Sequence, residues 1–363
     1  MIPYQSPYGY AIRSSHRPLT HLKKLYRFYE IHCLTIFLLF VKFFQIFIPS
    51  NNFYSYIRNI RDADVVISMG GGYLITRNKL TDYFGLLLML LPIYIAKFYK
   101  KKILLLPQTF GPFASRLHEQ LAYRALHGTT ILSRDHISLD RIHFLDKKNN
   151  KVHAKFVPDL ALFCKWDKKI PLEKKFKSDY IVLSAREWLP REKQLKYESI
   201  LGDFVNYVWK RFKLKTKMLI MANNPIEETD TPVAQRIQEN IKNNRFFDII
   251  YPSDHREAQD ILRDAKLAVC TRMHSAILSF TTTTPFIAIG YGHKTQGLMK
   301  LLTLTEWFVD IYDLRYNWLV SKFDFLLKSG TYSSYIKRLK EQRKIVLAFR
   351  PKIINDISKF IID

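Results

Sequence analysis

The sequence predicts an α/β protein built from two doubly wound, Rossmann-like halves. Three observations carry that prediction. Short apolar runs of strand type alternate with longer stretches of helical apolar period. The charged, non-periodic stretch Lys165 to Ser178 interrupts the alternation and reads as a linker. Glycine, glutamine or arginine marks the ends of several predicted strands. Repeated βα units imply parallel sheets covered on both faces, with ligands bound outside the carboxyl ends of the strands. The expected division is an N-terminal α/β domain over 1–168, a C-terminal α/β domain over 178–315, and C-terminal helices over 316–363.

The elements follow in order. Residues 1–18, MIPYQSPYGYAIRSSHRP, lack the charged start and uninterrupted apolar core of a secretion signal. Leu34 to Ile48, LTIFLLFVKFFQIFI, spans 15 residues with Lys42 and Gln45 inside. A bilayer crossing needs about 20 apolar residues. Two readings stand side by side for it: a buried helix, or a helix in a membrane interface with Lys23, Lys24, Arg27 and Lys42 at anionic headgroups. From Asp64 the strands are Val65 to Ser68, Ile103 to Leu106 and Thr130 to Leu132; Gly70 to Gly72 reads as a turn and Gln108 to Pro112 as a loop. Helices fall at Tyr83 to Tyr99, Leu117 to Leu126 and from Ser138. The second series has strands at Tyr180 to Ser184, Lys217 to Met221, Phe247 to Tyr251, Leu267 to Cys270 and Pro285 to Ile289. Ser334 to Ala348 reads as an amphipathic helix on the outside of a domain.

Composition narrows the partners. The 57 Lys and Arg against 32 Asp and Glu give +25, so some surface attracts a polyanion, an anionic membrane or a negatively charged substrate. The basic residues are scattered, and no zinc-finger spacing, basic zipper or RNP-like segment occurs, so nucleic acid is not expected. Cys33, Cys164 and Cys270 are few, odd in number and far apart, which suits a reducing compartment and excludes a disulfide framework and a CxxC metal site. The expected location is cytoplasmic, at the inner face of the membrane on the interfacial reading of Leu34 to Ile48.

Lys266 to Lys294 compresses a strand, an Arg-x-His turn, a helix and a second strand into one unit. Arg272, His274 and Ser275 then fall where a strand ends and a helix begins, facing free N–H groups and the positive end of a helix dipole. Arg272 adds a donor fork suited to carboxylate or phosphate. In isolation an R-x-H is more often a salt bridge beside a core histidine. Gly70, Gly71 and Gly72 permit close backbone approach to a ligand, Gln108 is a polar group at a strand end, and Arg186 ends the first strand of the second half.

The order of the motifs changes the weighing: ADVVISMGGGYL, LLLPQTFGPF, LSRDHISLDRI, VPDLALF, SAREW, TRMHSAILSF and TPFIAIGYGHK. From about Asp62 to Met299 this resembles the polysaccharide pyruvyl transferase family. The resemblance implies a two-domain fold similar to GT-B glycosyltransferases and transfer of a pyruvyl group from phosphoenolpyruvate to sugar hydroxyls as a cyclic ketal. It implies Arg272 and His274 as catalytic positions and Arg186 as a donor-binding position, with Ser275, Gly70, Gly71, Gly72, Gln108 and Lys294 as further substrate contacts; Arg134 and Asp159 read as structural. No cofactor or metal is called for; the partners are phosphoenolpyruvate and a glycan acceptor, with a lipid-linked acceptor and a peripheral membrane contact left open, and the oligomeric state unassigned. The family usually begins with a Gly-Asn-x-Gly-Asp loop that Met1 to Arg61 does not contain, so the N-terminal half is expected to be diverged or incomplete. Two alternatives remain. One is a GT-B nucleotide-sugar glycosyltransferase in polysaccharide synthesis, although the E-x7-E spacing of many such enzymes is missing from the second half. The other is a non-catalytic basic protein of membrane surfaces or nucleic acid.

Overall fold

A computed structural model describes residues 51–78, 80–148, 150–164, 177–224, 228–241 and 244–362. Cys33, Leu34 to Ile48 and most of the Lys165 to Ser178 stretch lie outside the described residues. The chain divides into two compact units, residues 1–62 and residues 63–363. The described part of the first is helix α1 (Asn51–Asp62).

The second unit contains two parallel sheets. The first has β1 (Val65–Ser68), β2 (Gly71–Leu74), β3 (Lys102–Phe110), β4 (Thr130–Ser133) and β5 (His153–Phe156), in the order β1-β3-β4-β5 with β2 also paired to β3. Helices α2 (Thr81–Phe98), α3 (Arg116–Ala125) and α4 (His136–Asp146) connect them. Two of these helices begin at side-chain caps: Ser115 accepts from the His118 N–H, and Asp135 accepts from the Ser138 N–H. Such caps satisfy N–H groups that the first helical turn leaves without partners.

Two expectations need correction here. The glycine triplet is not a turn, because Gly71 and Gly72 lie in β2, and Gln108 to Phe110 is not loop, because β3 runs on to Phe110. The reason sits at Pro107. On one flank of β3 the partner changes from β1, whose Ser68 aligns with Leu105, to β2, whose Gly71 aligns with Gln108. On the other flank the register with β4 shifts between Leu105 and Gln108. A proline supplies no ladder N–H and is tolerated at such an irregularity. Gly70 lets the chain pass over this point, since a Cβ there would stand 2.9 Å from the Pro107 carbonyl oxygen. The end of β3 is then tied to β2 by Gly111 N–H donating to Leu74 O at 2.7 Å.

The second sheet contains β6 (Tyr180–Ser184), β7 (Lys215–Leu219), β10 (Phe247–Ile250), β11 (Ala268–Cys270), β12 (Phe286–Gly290) and β13 (Phe308–Asp310); a small antiparallel pair, β8 (Asn223–Asn224) and β9 (Glu228–Thr229), stands apart. The order β10-β7-β6-β11-β12-β13 is the dinucleotide-fold order 3-2-1-4-5-6 counted within this half. Every residue of β6, β11 and β12 is buried, which explains their continuous apolar sequences. Helices α5 (Arg191–Phe212), α6 (Thr231–Glu239), α7 (His255–Asp264), α8 (Met273–Thr281), α9 (His293–Leu301) and α10 (Tyr316–Leu327) complete it.

Helix α11 (Ser329–Ile362) reaches both sheets. Its first part is buried through Tyr332, Tyr335 and Leu339, with the Tyr335 hydroxyl donating to Phe286 O at 2.6 Å. Its last part packs Ile353 with Leu104, Leu132 and Val157 of the first half. The expected peripheral helix over Ser334 to Ala348 is therefore the middle of a longer tie between halves. No helix among the described residues is long and apolar enough to cross a membrane.

Candidate active site

The order of the second sheet reverses between β6 and β11, and doubly wound sheets bind ligands at that crevice. Arg186 follows β6 and Arg272 follows β11, so the two flank it. Arg186 is nearly buried, not a solvated side chain: its guanidinium lies 4.4 Å from the Tyr291 ring centroid and 4.9 Å from that of Trp188, and Nη1 donates to the Tyr291 hydroxyl at 2.6 Å. Arg77, from the loop after β2, stacks on Trp188 at 3.9 Å. That stack brings the first half of the unit to the same place.

Arg272 precedes α8 and directs its Nε to both carboxylate oxygens of Asp230, at 3.0 and 3.2 Å, with a further contact from Nη2. Asp230 is fully buried and also accepts from Met221 and Ala222 N–H. The salt bridge expected of an isolated R-x-H is thus present, and it fixes the plane of the guanidinium at the crevice. Ser275 is buried, hydrogen-bonded to the Ser184 hydroxyl and to Arg272 O at 2.6 Å each, so its side chain joins β6 to α8 inside the protein. Gln108 is also fully buried and donates to Met69 O, which places it behind the glycine strand rather than at a ligand surface.

His274 stands in the first turn of α8, exposed to the cleft yet crowded by its walls. Burial lowers its pKa below the ordinary histidine value; Asp159 opposes the shift, and Arg134, Lys294 and Arg272 add to it. These groups come from four elements. Arg134, just after β4, donates to Asp159 at 2.7 Å and to Thr109 at 2.8 Å. Lys294, in the first turn of α9, has its pKa pulled down to about 8, first by burial and then by Arg134, with Asp135 opposing and Arg77 and Arg186 adding. Gly72 is where they meet: a Cβ built there would fall on Lys294 Nζ and within 3.3 Å of Arg134 Nη2. The glycine strand therefore makes room for two cations rather than wrapping a phosphate with its own turn.

The arrangement is a cationic crevice lined from both sheets. Arg77, Arg134, Arg186, Arg272 and Lys294 oppose three nearby acids, Asp135, Asp159 and Asp230, with an imidazole among them. It suits a small polyanion that must also receive a proton.

The model of the family described as polysaccharide pyruvyl transferase matches residues 10–293. The chain belongs to the polysaccharide pyruvyl transferase family. The match begins well ahead of Asp62, where the ordered motifs start, so this family member carries more of the family pattern than the motifs alone define. It is 23% identical over 326 residues, 83% of this chain and 74% of the relative, to the amylovoran biosynthesis protein AmsJ of Erwinia amylovora. Among solved structures it is similar to an α,α-trehalose-phosphate synthase from Burkholderia xenovorans in complex with glucose-6-phosphate, with TM-score 0.55, 11% identity, and 84% and 77% of the two chains covered. It is similar also to a putative UDP-N-acetylglucosamine 2-epimerase from Listeria monocytogenes, with TM-score 0.54, 12% identity, and 84% and 79% of the two chains covered. At such identities these likenesses concern the fold, which is GT-B-like.

Of the residues marked in the sequence, Arg186, Arg272, His274, Lys294 and Gly72 converge, whereas Ser275, Gln108 and Gly70 support from behind. Arg134 and Asp159, read from sequence as structural, do form an ion pair, but they form it at the crevice. Arg77 and Asp230 lie outside the ordered motifs, whereas Trp188, Asp135, Tyr291 and His293 lie within SAREW, LSRDHISLDRI and TPFIAIGYGHK without having been singled out.

Proposed function

We propose that this family member transfers a pyruvyl group from phosphoenolpyruvate onto two hydroxyls of a sugar in a surface polysaccharide or its precursor, forming a ketal. The observation that carries the reading is the meeting of Arg134, Lys294, Arg272 and His274 around the cleft, drawn from both sheets. Phosphoenolpyruvate presents a carboxylate and a phosphate, which call for several cations at fixed angles. Arg186 and Lys294 hold the donor, and Arg272, pinned by Asp230, stabilises the departing phosphate.

His274 gives a proton to the methylene carbon, and the adjacent carbon accepts the first sugar hydroxyl. The carbon–phosphate oxygen bond then breaks and the second hydroxyl closes the ring. One proton from the hydroxyl pair balances the proton given to carbon, and the other leaves with phosphate. Burial and the neighbouring cations lower the His274 pKa, and a bound anion opposes that shift, so His274 takes up its proton as the donor binds. Family membership and the AmsJ relative support a role in polysaccharide biosynthesis. Acceptor-dependent phosphate release from phosphoenolpyruvate, followed with candidate glycans, tests the reading; wild-type release from Arg272→Ala and His274→Ala would overturn it.

A further inference from the structure

Helices α4 and α9 come from different sheets, and their N-termini meet over Asp135. This carboxylate caps α4, accepting from Ser138 N–H at 2.7 Å and from the Ser138 hydroxyl at 2.9 Å. It is only 5% exposed. His293, first residue of α9, places Nε2 3.8 Å from the carboxylate, and that nitrogen is buried without a hydrogen-bond partner. One turn on, α9 approaches closely enough that a Cβ on Gly297 would touch Asp135 Cβ at 3.6 Å. Two positive helix ends thus converge on one buried acid. Lys294 is the next residue along α9 from His293.

We infer that Asp135, faced by His293, is a positioning residue that locks the start of α9 to the first sheet and thereby holds Lys294 in the donor crevice. The charged groups around the joint are Arg134 and Arg141 from the first half, Lys294 beside His293, and Arg77 and Arg186 across the crevice. Among the largest influences on Lys294, Asp135 is the one that favours its ammonium form. Losing the Asp135 charge therefore moves Lys294 further toward its neutral form, and donor binding fades at a lower pH. The inference rests on the pyruvyl-transfer reading only for the choice of ligand.

The test uses the full chain with Asp135→Asn, Asp135→Ser and His293→Gln; serine retains a cap for α4 without charge. Acetic anhydride labelling of Lys294 across pH 6.5 to 10, read by mass spectrometry, reports its protonation with no ligand present. The expected midpoint falls about one pH unit in both Asp135 variants. Phosphoenolpyruvate affinity, by calorimetry, should weaken about fivefold at pH 8 and much less at pH 6.5, with a smaller loss in His293→Gln. Unchanged labelling midpoints in correctly folded Asp135 variants overturn the inference. If wild type fails to bind phosphoenolpyruvate while the midpoints shift as expected, the pyruvyl-transfer reading falls and the positioning role stands.

Discussion

If the protein transfers a pyruvyl group as proposed, His274 has to be an acid during the reaction, although its surroundings make it a weak base beforehand. Burial, Arg134, Lys294 and Arg272 disfavour the imidazolium, and among these largest influences Asp159 favours it. A bound trianion reverses the local field and raises the pKa, so between the free and bound values the protein takes up a proton on binding. Calorimetry of phosphoenolpyruvate binding at pH 7, in two buffers of different ionisation enthalpy, should show net uptake that His274→Gln largely removes. Binding without uptake would argue against His274 as the proton donor. Gly72 acts by what it lacks. Its missing Cβ leaves space for Lys294 Nζ and Arg134 Nη2. Because Nζ is the tip of a flexible chain, Gly72→Ala should cost little stability but displace the ammonium. Donor affinity is expected to fall at least about tenfold, the equivalent of about 1.4 kcal/mol, with a melting temperature near that of wild type.

At the scale of elements, β3 shows what holds the crevice edge of the first sheet in shape. The chain crosses Pro107 where β1 gives way to β2, and Gly70 lies against the Pro107 carbonyl. That neighbour is backbone within a five-stranded sheet and has little freedom to yield. Gly70→Ala should therefore destabilise the protein by about 1–3 kcal/mol, as overpacking does, measurable by urea denaturation, in contrast to Gly72→Ala. The same strand shows the limits of sequence periodicity. The central strands β6, β11 and β12 were legible because they are buried on both faces and read as unbroken apolar runs. The edge strands β5 and β13 were not: β5 alternates exposed and half-buried residues, and His153 and Lys155 conceal its pairing with β4. Pro107 and the adjoining glycines signal breaks locally, and only the change of partners on both sides of β3 makes them strand. The site divides in a similar way. Arg186, Arg272 and His274 could be found because they sit at strand ends of recognisable βα units. Asp230 lies 42 residues from Arg272 in sequence, and Asp135 meets His293 only through packing of the two sheets.

For the whole second unit, the placement of the crevice depends on how the two sheets are held together, and α11 is a principal tie. Its first turns are fastened to the second sheet by buried tyrosines, with Tyr332 donating to Lys266 O and Tyr335 to Phe286 O. Beyond Pro351, Ile353 enters a small apolar cluster with Leu104 of β3, Leu132 of β4 and Val157, while Lys155 and Asp356 pair at 2.6 Å near the surface. The ion pair is half exposed and contributes little; the buried side chain carries the attachment. Ile353→Ala removes buried methyl groups from a cluster with few other members, at a cost of about 2–4 kcal/mol. The loss falls on one end of the tie, so the second sheet, with its larger continuous core, should keep its protection. Hydrogen exchange is expected to quicken in α11 after Pro351 and in β4 and β5, while β6, β11 and β12 remain as slow as in wild type. On the proposed function, turnover should suffer more than donor binding to Arg186 and Lys294, because Arg134 and Asp159, which act on His274, reach the crevice from the sheet that has been loosened. Uniform acceleration across both sheets would mean instead that they unfold as one cooperative body and that α11 does not set the spacing between them.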